Sequence, residues 1–122
     1  MRRVLIADDD ALFVDLVRAV LPPDRWQVSA AHDSMQVMMY AMGTPPPEVI
    51  LLDINMPGGT GLNALKRLKQ SAKTALIPVV VVSGARETML PDQVRMLVAK
   101  EFIAKPIDAR TFERELVAIL GS

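Results

Sequence analysis

Five short apolar runs recur along the chain: Val4 to Ala7, Val28 to Ala31, Val49 to Leu52, Val79 to Val82 and Phe102 to Ala104. They hold many β-branched residues and do not alternate with polar ones, the pattern of strands covered on both faces in a parallel sheet. The second and the last carry that pattern least clearly. Segments of helical period lie between them. Leu12, Leu16, Val17 and Val20 are predicted to share one face, as are Leu62, Leu65 and Leu68, and then Phe112, Leu116 and Ile119. Start signals agree: Asp33 stands three residues before Gln36 as a capping-box variant, Thr60 precedes Leu62, and Asp108 precedes the last helix. Pro91 would interrupt a helix drawn from Ala85 to Ala99, so the fourth helix is expected to start at Pro91, after a longer loop from Gly84 to Leu90. Other loops are expected at Pro22-Pro23, Gly43 to Pro47 and Pro57 to Gly61.

Five strands alternating with five helices predict an α/β fold, a single doubly wound parallel sheet with right-handed crossovers. Ligands of such sheets bind beyond the carboxyl ends of the strands. The residues just past the runs are Asp8 and Asp9 after the first, Asp53 after the third, Ser83 after the fourth and Lys105 after the fifth. Four of the five strand ends thus carry groups suited to holding or transferring phosphate.

Three carboxylates drawn together repel one another, and a hard cation with oxygen ligands is the natural counter-charge. Mg²⁺, with Mn²⁺ as a substitute, would take Asp9, Asp53, a backbone carbonyl near Asn55 and a phosphoryl oxygen, with Asp8 acting partly through water. A carboxylate can be the nucleophile in phosphoryl transfer, where the protein mainly positions groups and neutralises charge. Lys105 would supply a mobile point charge, Ser83 a hydroxyl donor, and the backbone N–H groups after Asp53 further donors.

The segments Leu5-Ile6-Ala7-Asp8-Asp9-Asp10, Leu51-Leu52-Asp53-Ile54-Asn55-Met56-Pro57-Gly58, Val82-Ser83-Gly84 and Phe102-Ile103-Ala104-Lys105-Pro106 resemble the receiver domain family of response regulators. The resemblance covers nearly the whole chain, and the spacings fit it: 45 residues from Asp8 to Asp53, 30 on to Ser83 and 22 on to Lys105. It implies a flavodoxin-like strand order of 2-1-3-4-5 and a signalling phosphoacceptor, not an enzyme, that assists its own phosphorylation and dephosphorylation. Asp53 would be the acceptor, Asp8 and Asp9 the acidic pair for the metal, Ser83 the switch hydroxyl, Lys105 the phosphate-contacting lysine and Phe102 the aromatic switch. The phosphodonor would be a sensor histidine kinase or a histidine phosphotransfer protein. The output would be a changed surface on the fourth helix, fifth strand and fifth helix, binding a downstream protein or output domain, with phosphorylation-dependent dimerisation as one form of response. The resemblance also implies a cis Lys105-Pro106 bond, against a background of ~5% for X-Pro bonds in general. Two departures stand out: Gly59-Thr60 where the family more often has Met-Asp, and Val98 where a glycine is usual.

Composition narrows the setting. A chain of 122 residues is expected to be one receiver domain, 1–122, with no output domain beside it. Fourteen basic and fourteen acidic residues give a net charge of +0, so neither nucleic acid nor a membrane surface is expected as a partner. Without cysteine there are no disulfides or thiolate sites, and no apolar run approaches the ~20 residues of a membrane helix, so a cytoplasmic address is expected.

Taken singly, the site residues have plainer readings: Asp9 or Asp10 as a helix cap, Ser83 as a loop hydroxyl, Lys105 as a solvated lysine, Phe102 as a core aromatic. Together they favour the site, with Asp10 left as the cap. Met35, Met38, Met39 and Met42 read first as partial core, with a partner-binding face as the sharper alternative. His32, the only histidine, reads as a surface or capping residue. The competing function is a Mg²⁺-dependent phosphatase with an aspartate nucleophile, faintly suggested by Asp53-Ile54-Asn55. That class has a second acid two residues past the nucleophile, where this chain has Asn55, and a cap insertion for which it has no room.

Overall fold

The strands form where the apolar runs predict them, each somewhat longer than its run: β1 (Arg2–Ala7), β2 (Trp26–Ala31), β3 (Val49–Asp53), β4 (Val79–Gly84) and β5 (Glu101–Lys105). All pair in parallel in the order β2-β1-β3-β4-β5. This is the predicted doubly wound order, which places β1, β3 and β4 inside the sheet. The structure, a computed structural model, describes residues 1–53, 56, 60–84 and 101–121. The side chains of Thr60, Ser83, Gly84, Glu101, Phe102 and Ala104 lie outside that description, as do the helix expected from Pro91 and the positions Asn55, Gly59 and Val98. Four helices fall among the described residues: α1 (Ala11–Val20), α2 (Ser34–Ala41), α3 (Thr60–Gln70) and α4 (Phe112–Ile119).

Both faces of the sheet are covered, so successive residues of a strand enter different cores. Leu5, Ala7, Ile50, Leu52, Val79 and Val81 pack with Val37 and Ala41 of α2 and Ala64, Leu65 and Leu68 of α3. Val4, Ile6, Val49, Leu51, Val80 and Val82 pack with Phe13, Val14 and Val17 of α1 and Phe112 and Leu116 of α4. Each fully buried Val, Leu, Ile or Phe among them contributes roughly 1.5–3 kcal/mol.

Three local expectations need correction or refinement. Leu12 and Leu16 were expected on the core face of α1, but they are 80% and 37% exposed while Phe13, Val14 and Val17 are buried. Phe13, Val17 and Leu21 share the same four-residue spacing, and that stripe meets Trp26 and Phe112 in the core. Asp108 does not cap α4 directly. Its carboxylate accepts from Arg110 N at 2.9 Å, forming a turn whose Asp108 carbonyl then takes Phe112 N, and α4 begins at Phe112. At α2, Asp33 accepts from Gln36 N at 2.8 Å as predicted, but Gln36 reaches past the cap residue to accept from His32 N at 2.7 Å.

At the amino ends of the strands, α4 is fastened to β2. Glu113 accepts two hydrogen bonds from Arg25, each 3.0 Å, and one from Trp26 Nε1 at 2.8 Å. The carboxyl ends are left to the polar strand-end residues.

Candidate functional site

Register brings the strand-end residues to one rim. Ala7 pairs with both Ala31 and Leu52, so Asp8 and Asp53 follow at the same level of adjacent strands. Gly84 pairs with Lys105 and Ser83 with Ala104, which sets Ser83 and Lys105 at the same end of β4 and β5.

The three consecutive aspartates after β1 have separate environments. Asp8 is 1% exposed, its N–H bonded to Ala31 O at 3.0 Å, so the chain keeps strand geometry for one residue beyond β1. Its Oδ1 accepts from Asp10 N at 2.9 Å and its Oδ2 from Lys105 Nζ at 2.8 Å. Asp9 is exposed. Asp10 is the cap of α1, accepting from Leu12 N at 3.0 Å.

Asp53 ends β3 and is 8% exposed. Lys105 Nζ lies 3.6 Å from Asp53 Oδ2 and 4.5 Å from the centre of the Phe13 ring, a cation–π contact that steadies the ammonium over α1. The bond from Lys105 to Pro106 is cis, as expected; Thr44-Pro45 is also cis, which no residue pattern had indicated. His32 Nδ1 lies 3.2 Å from Asp8 O, on the outer side of the same turn.

Burial pushes the Asp8 carboxyl above the usual carboxylate range; the hydrogen bonds from Lys105 and Asp10 N oppose that push and the charge of Asp53 adds to it. Burial alone would lower Lys105, but its hydrogen bond to Asp8 and the charges of Asp8, Asp53 and Asp10 outweigh it, and the ammonium is held above the ordinary lysine value. Among the described residues, Lys105 therefore faces the carboxylates of Asp8, Asp53 and Asp10 together.

Carboxylate oxygens of Asp8, Asp9 and Asp53 lie within 4.8 Å of one another. Oxygens bound to a small divalent ion at ~2.1 Å stand about 3–4 Å apart, so this all-oxygen, anionic set fits such an ion with small side-chain adjustments. Neutral-nitrogen and thiolate donors, which favour zinc or copper, are absent from the set.

Of the residues singled out from the sequence, Asp8, Asp9, Asp53 and Lys105 come together in space. Ser83 and Phe102 are placed by their strands alone, and Asn55 lies outside the described residues. Two neighbours of the site were missed: Phe13, whose ring lies against the lysine, and Leu12, exposed at its edge. With Asp10, Leu16, Lys105 and Pro106 they line an open, largely apolar recess next to the carboxylates. The available signal was a second i, i+4 stripe on α1.

The family model for the response regulator receiver domain matches residues 4–117. The chain is 34% identical over 121 residues to the phosphate regulon transcriptional regulatory protein PhoB of Klebsiella pneumoniae, covering 98% of this chain and 52% of that protein. It thus spans about half the length of that relative. To the protein PilH of Pseudomonas aeruginosa it is 30% identical, covering 99% of both. In fold it is similar to the chemotaxis response regulator CheY4 of Vibrio cholerae, with a TM-score of 0.84 at 22% identity over 98% of each chain.

Proposed function

The chain belongs to the family of response regulator receiver domains, proteins of two-component signalling, and from that premise we propose that Asp53 is the carboxylate that takes the phosphoryl group. The observation that carries the proposal is the buried end of β3, where Asp53 meets Lys105 Nζ at 3.6 Å within an acidic cluster. An Asp53 carboxylate oxygen attacks the phosphorus of a phosphohistidine; the P–N bond breaks, an acyl phosphate forms, and the imidazole leaves. Asp8, Asp9 and Asp53 would hold Mg²⁺ or Mn²⁺, with the Asn55 carbonyl added by the family pattern, and the ion would supply positive charge beside the transferred group.

Lys105 holds a phosphoryl oxygen, giving up part of its contact with Asp8 to do so. Ser83 binds a second oxygen through its hydroxyl, and Phe102 rearranges with it, roles that rest on the family pattern at those positions. The domain acts as a phosphoacceptor that promotes its own modification and its loss. Its donor is a histidine kinase or a histidine phosphotransfer protein, whose apolar surface lies against Leu12 and Leu16 beside the site. The signal leaves through β5, α4 and the helix expected from Pro91. The phosphatase alternative is not favoured, since the family match is to receivers and Asn55 stands where the second acid would be.

Incubation with acetyl phosphate and Mg²⁺, followed by intact-protein and peptide mass spectrometry, tests this reading. One phosphoryl group on Asp53, absent in Asp53→Asn and absent with a chelator, is expected. Repeated turnover of phosphate monoesters, or modification that survives Asp53→Asn unchanged, would overturn it.

A further inference from the structure

Half of the large apolar side chains exposed among the described residues lie on α2 or just past it: Met35 at 70%, Met39 at 67%, Tyr40 at 48% and Met42 at 42%. Met35, Met39 and Met42 are spaced by four and three residues, so they form one stripe along the helix. The core does not need that stripe, because Ser34, Val37 and Ala41 already close the opposite face of α2. Residues 34–41 include no acidic or basic side chain. A solvent-facing helix is ordinarily charged on its outer side, and this one is apolar on both.

We infer that α2 is a self-docking surface, on which two copies of this chain pack α2 against α2, antiparallel, about a twofold axis near Met39. Three observations select a second copy as the occupant. A twofold contact places a patch against itself, and an uncharged patch does so without like-charge repulsion. The two ends of the helix are oppositely charged: Asp33 caps the start, and Lys73 Nζ lies 3.5 Å from Met42 O at the end. An antiparallel lay therefore brings Asp33 of each copy toward Lys73 of the other and opposes the two helix dipoles. Beside the stripe, Met39 and Tyr40 also border a groove of about 260 Å³ walled by Arg3, Gln27, Gly43 and Pro45, into which side chains of the facing copy can settle.

The available area sets the strength. These four side chains offer on the order of 400 Å² per copy, half of the ~800 Å² per partner of a standard interface, so the pairing is weak and concentration-dependent. Association in the range of ~0.1–1 mM is expected. The inference does not depend on phosphoryl chemistry, and Met39 lies outside the site.

Sedimentation of the full chain up to ~1 mM tests it. Wild type should move toward dimer mass with concentration, whereas Met39→Glu and Met39→Lys should each weaken association at least tenfold. Their equimolar mixture should regain wild-type association or better, since opposite charges then meet across the axis. Circular dichroism and acetyl phosphate labelling of Asp53 should be unchanged in both variants, confirming that they fold. Wild type that stays monomeric at the highest concentration, a Met39→Glu protein that associates as wild type does, or a mixture that fails to pair would each overturn the proposal. So would a chain that stays monomeric and binds only a different protein through α2.

Discussion

The ammonium of Lys105 donates to Asp8 at 2.8 Å and so ties the end of β5 to the end of β1, across the two strands that separate them in the sheet. Because Asp8 is 1% exposed, removing the lysine leaves a buried carboxylate with, among the described residues, Asp10 N for support and Asp53 beside it. Lys105→Met should cost roughly 1–3 kcal/mol in urea unfolding at neutral pH without divalent ions. The deficit should shrink on acidification, since a protonated Asp8 no longer needs the cation. An unchanged deficit at low pH would refute the electrostatic account.

Asp8 itself should show the opposite sign. Burial raises its pKa above the unfolded value, so the ionised form costs stability above the folded pKa, and that cost disappears as pH falls through the raised value toward the unfolded one. Asp8→Asn should therefore raise the melting temperature of the chelated protein at pH 7, with the gain fading in acid. Magnesium should reverse the ranking. Wild type gains ~1.4 kcal/mol at ten times its Kd, and the variant, missing a donor, gains less.

The open recess on α1 separates two kinds of phosphodonor. Leu12 is 80% exposed, so Leu12→Asp should leave labelling by acetyl phosphate unchanged while slowing transfer from a protein phosphohistidine at least tenfold. Equal losses with both donors would place Leu12 in the site and not in the docking surface.

Glu113 gives a pH dependence at the other end of the sheet. Hydrogen bonds from Arg25 and Trp26 hold its carboxyl below the usual glutamate range. Its contribution is therefore present above the unfolded pKa of ~4.3 and is lost as pH falls through the lower folded value. Glu113→Gln should cost under about 1 kcal/mol at pH 7, because the pair is solvent-screened. The two proteins should converge only once the pH has fallen below that lowered folded value. Fluorescence of Trp26, the only tryptophan, reports the unfolding.

The strand ends were legible in the sequence because a strand buried on both faces has an unmistakable pattern, and the residue after it falls at the rim by geometry. Asp8, Asp53 and Lys105 are identifiable from the sequence for that reason. The face of α1 could not, because Leu12, Leu16 and Val20 follow the same spacing as Phe13, Val17 and Leu21. The choice is made by Trp26 and Phe112, which are distant in sequence. The unequal burial of Asp8 and Asp9 was hidden likewise, since it depends on one extra strand hydrogen bond from Asp8 N to Ala31 O. The methionines divided as composition suggested, with Met38 partly buried against the core and the other three exposed.

The alternation of β3 between two cores makes the sheet a partition as well as a scaffold. Ile50 and Leu51 are chain neighbours, yet among the described residues they belong to different cores, one with α2 and α3 and the other with α1 and α4. Truncations of Ile50 and Leu65, which lie in one core, should not add in free energy. The two cores are thus packed separately, and Asp53, at the end of β3, sits on a wall they share.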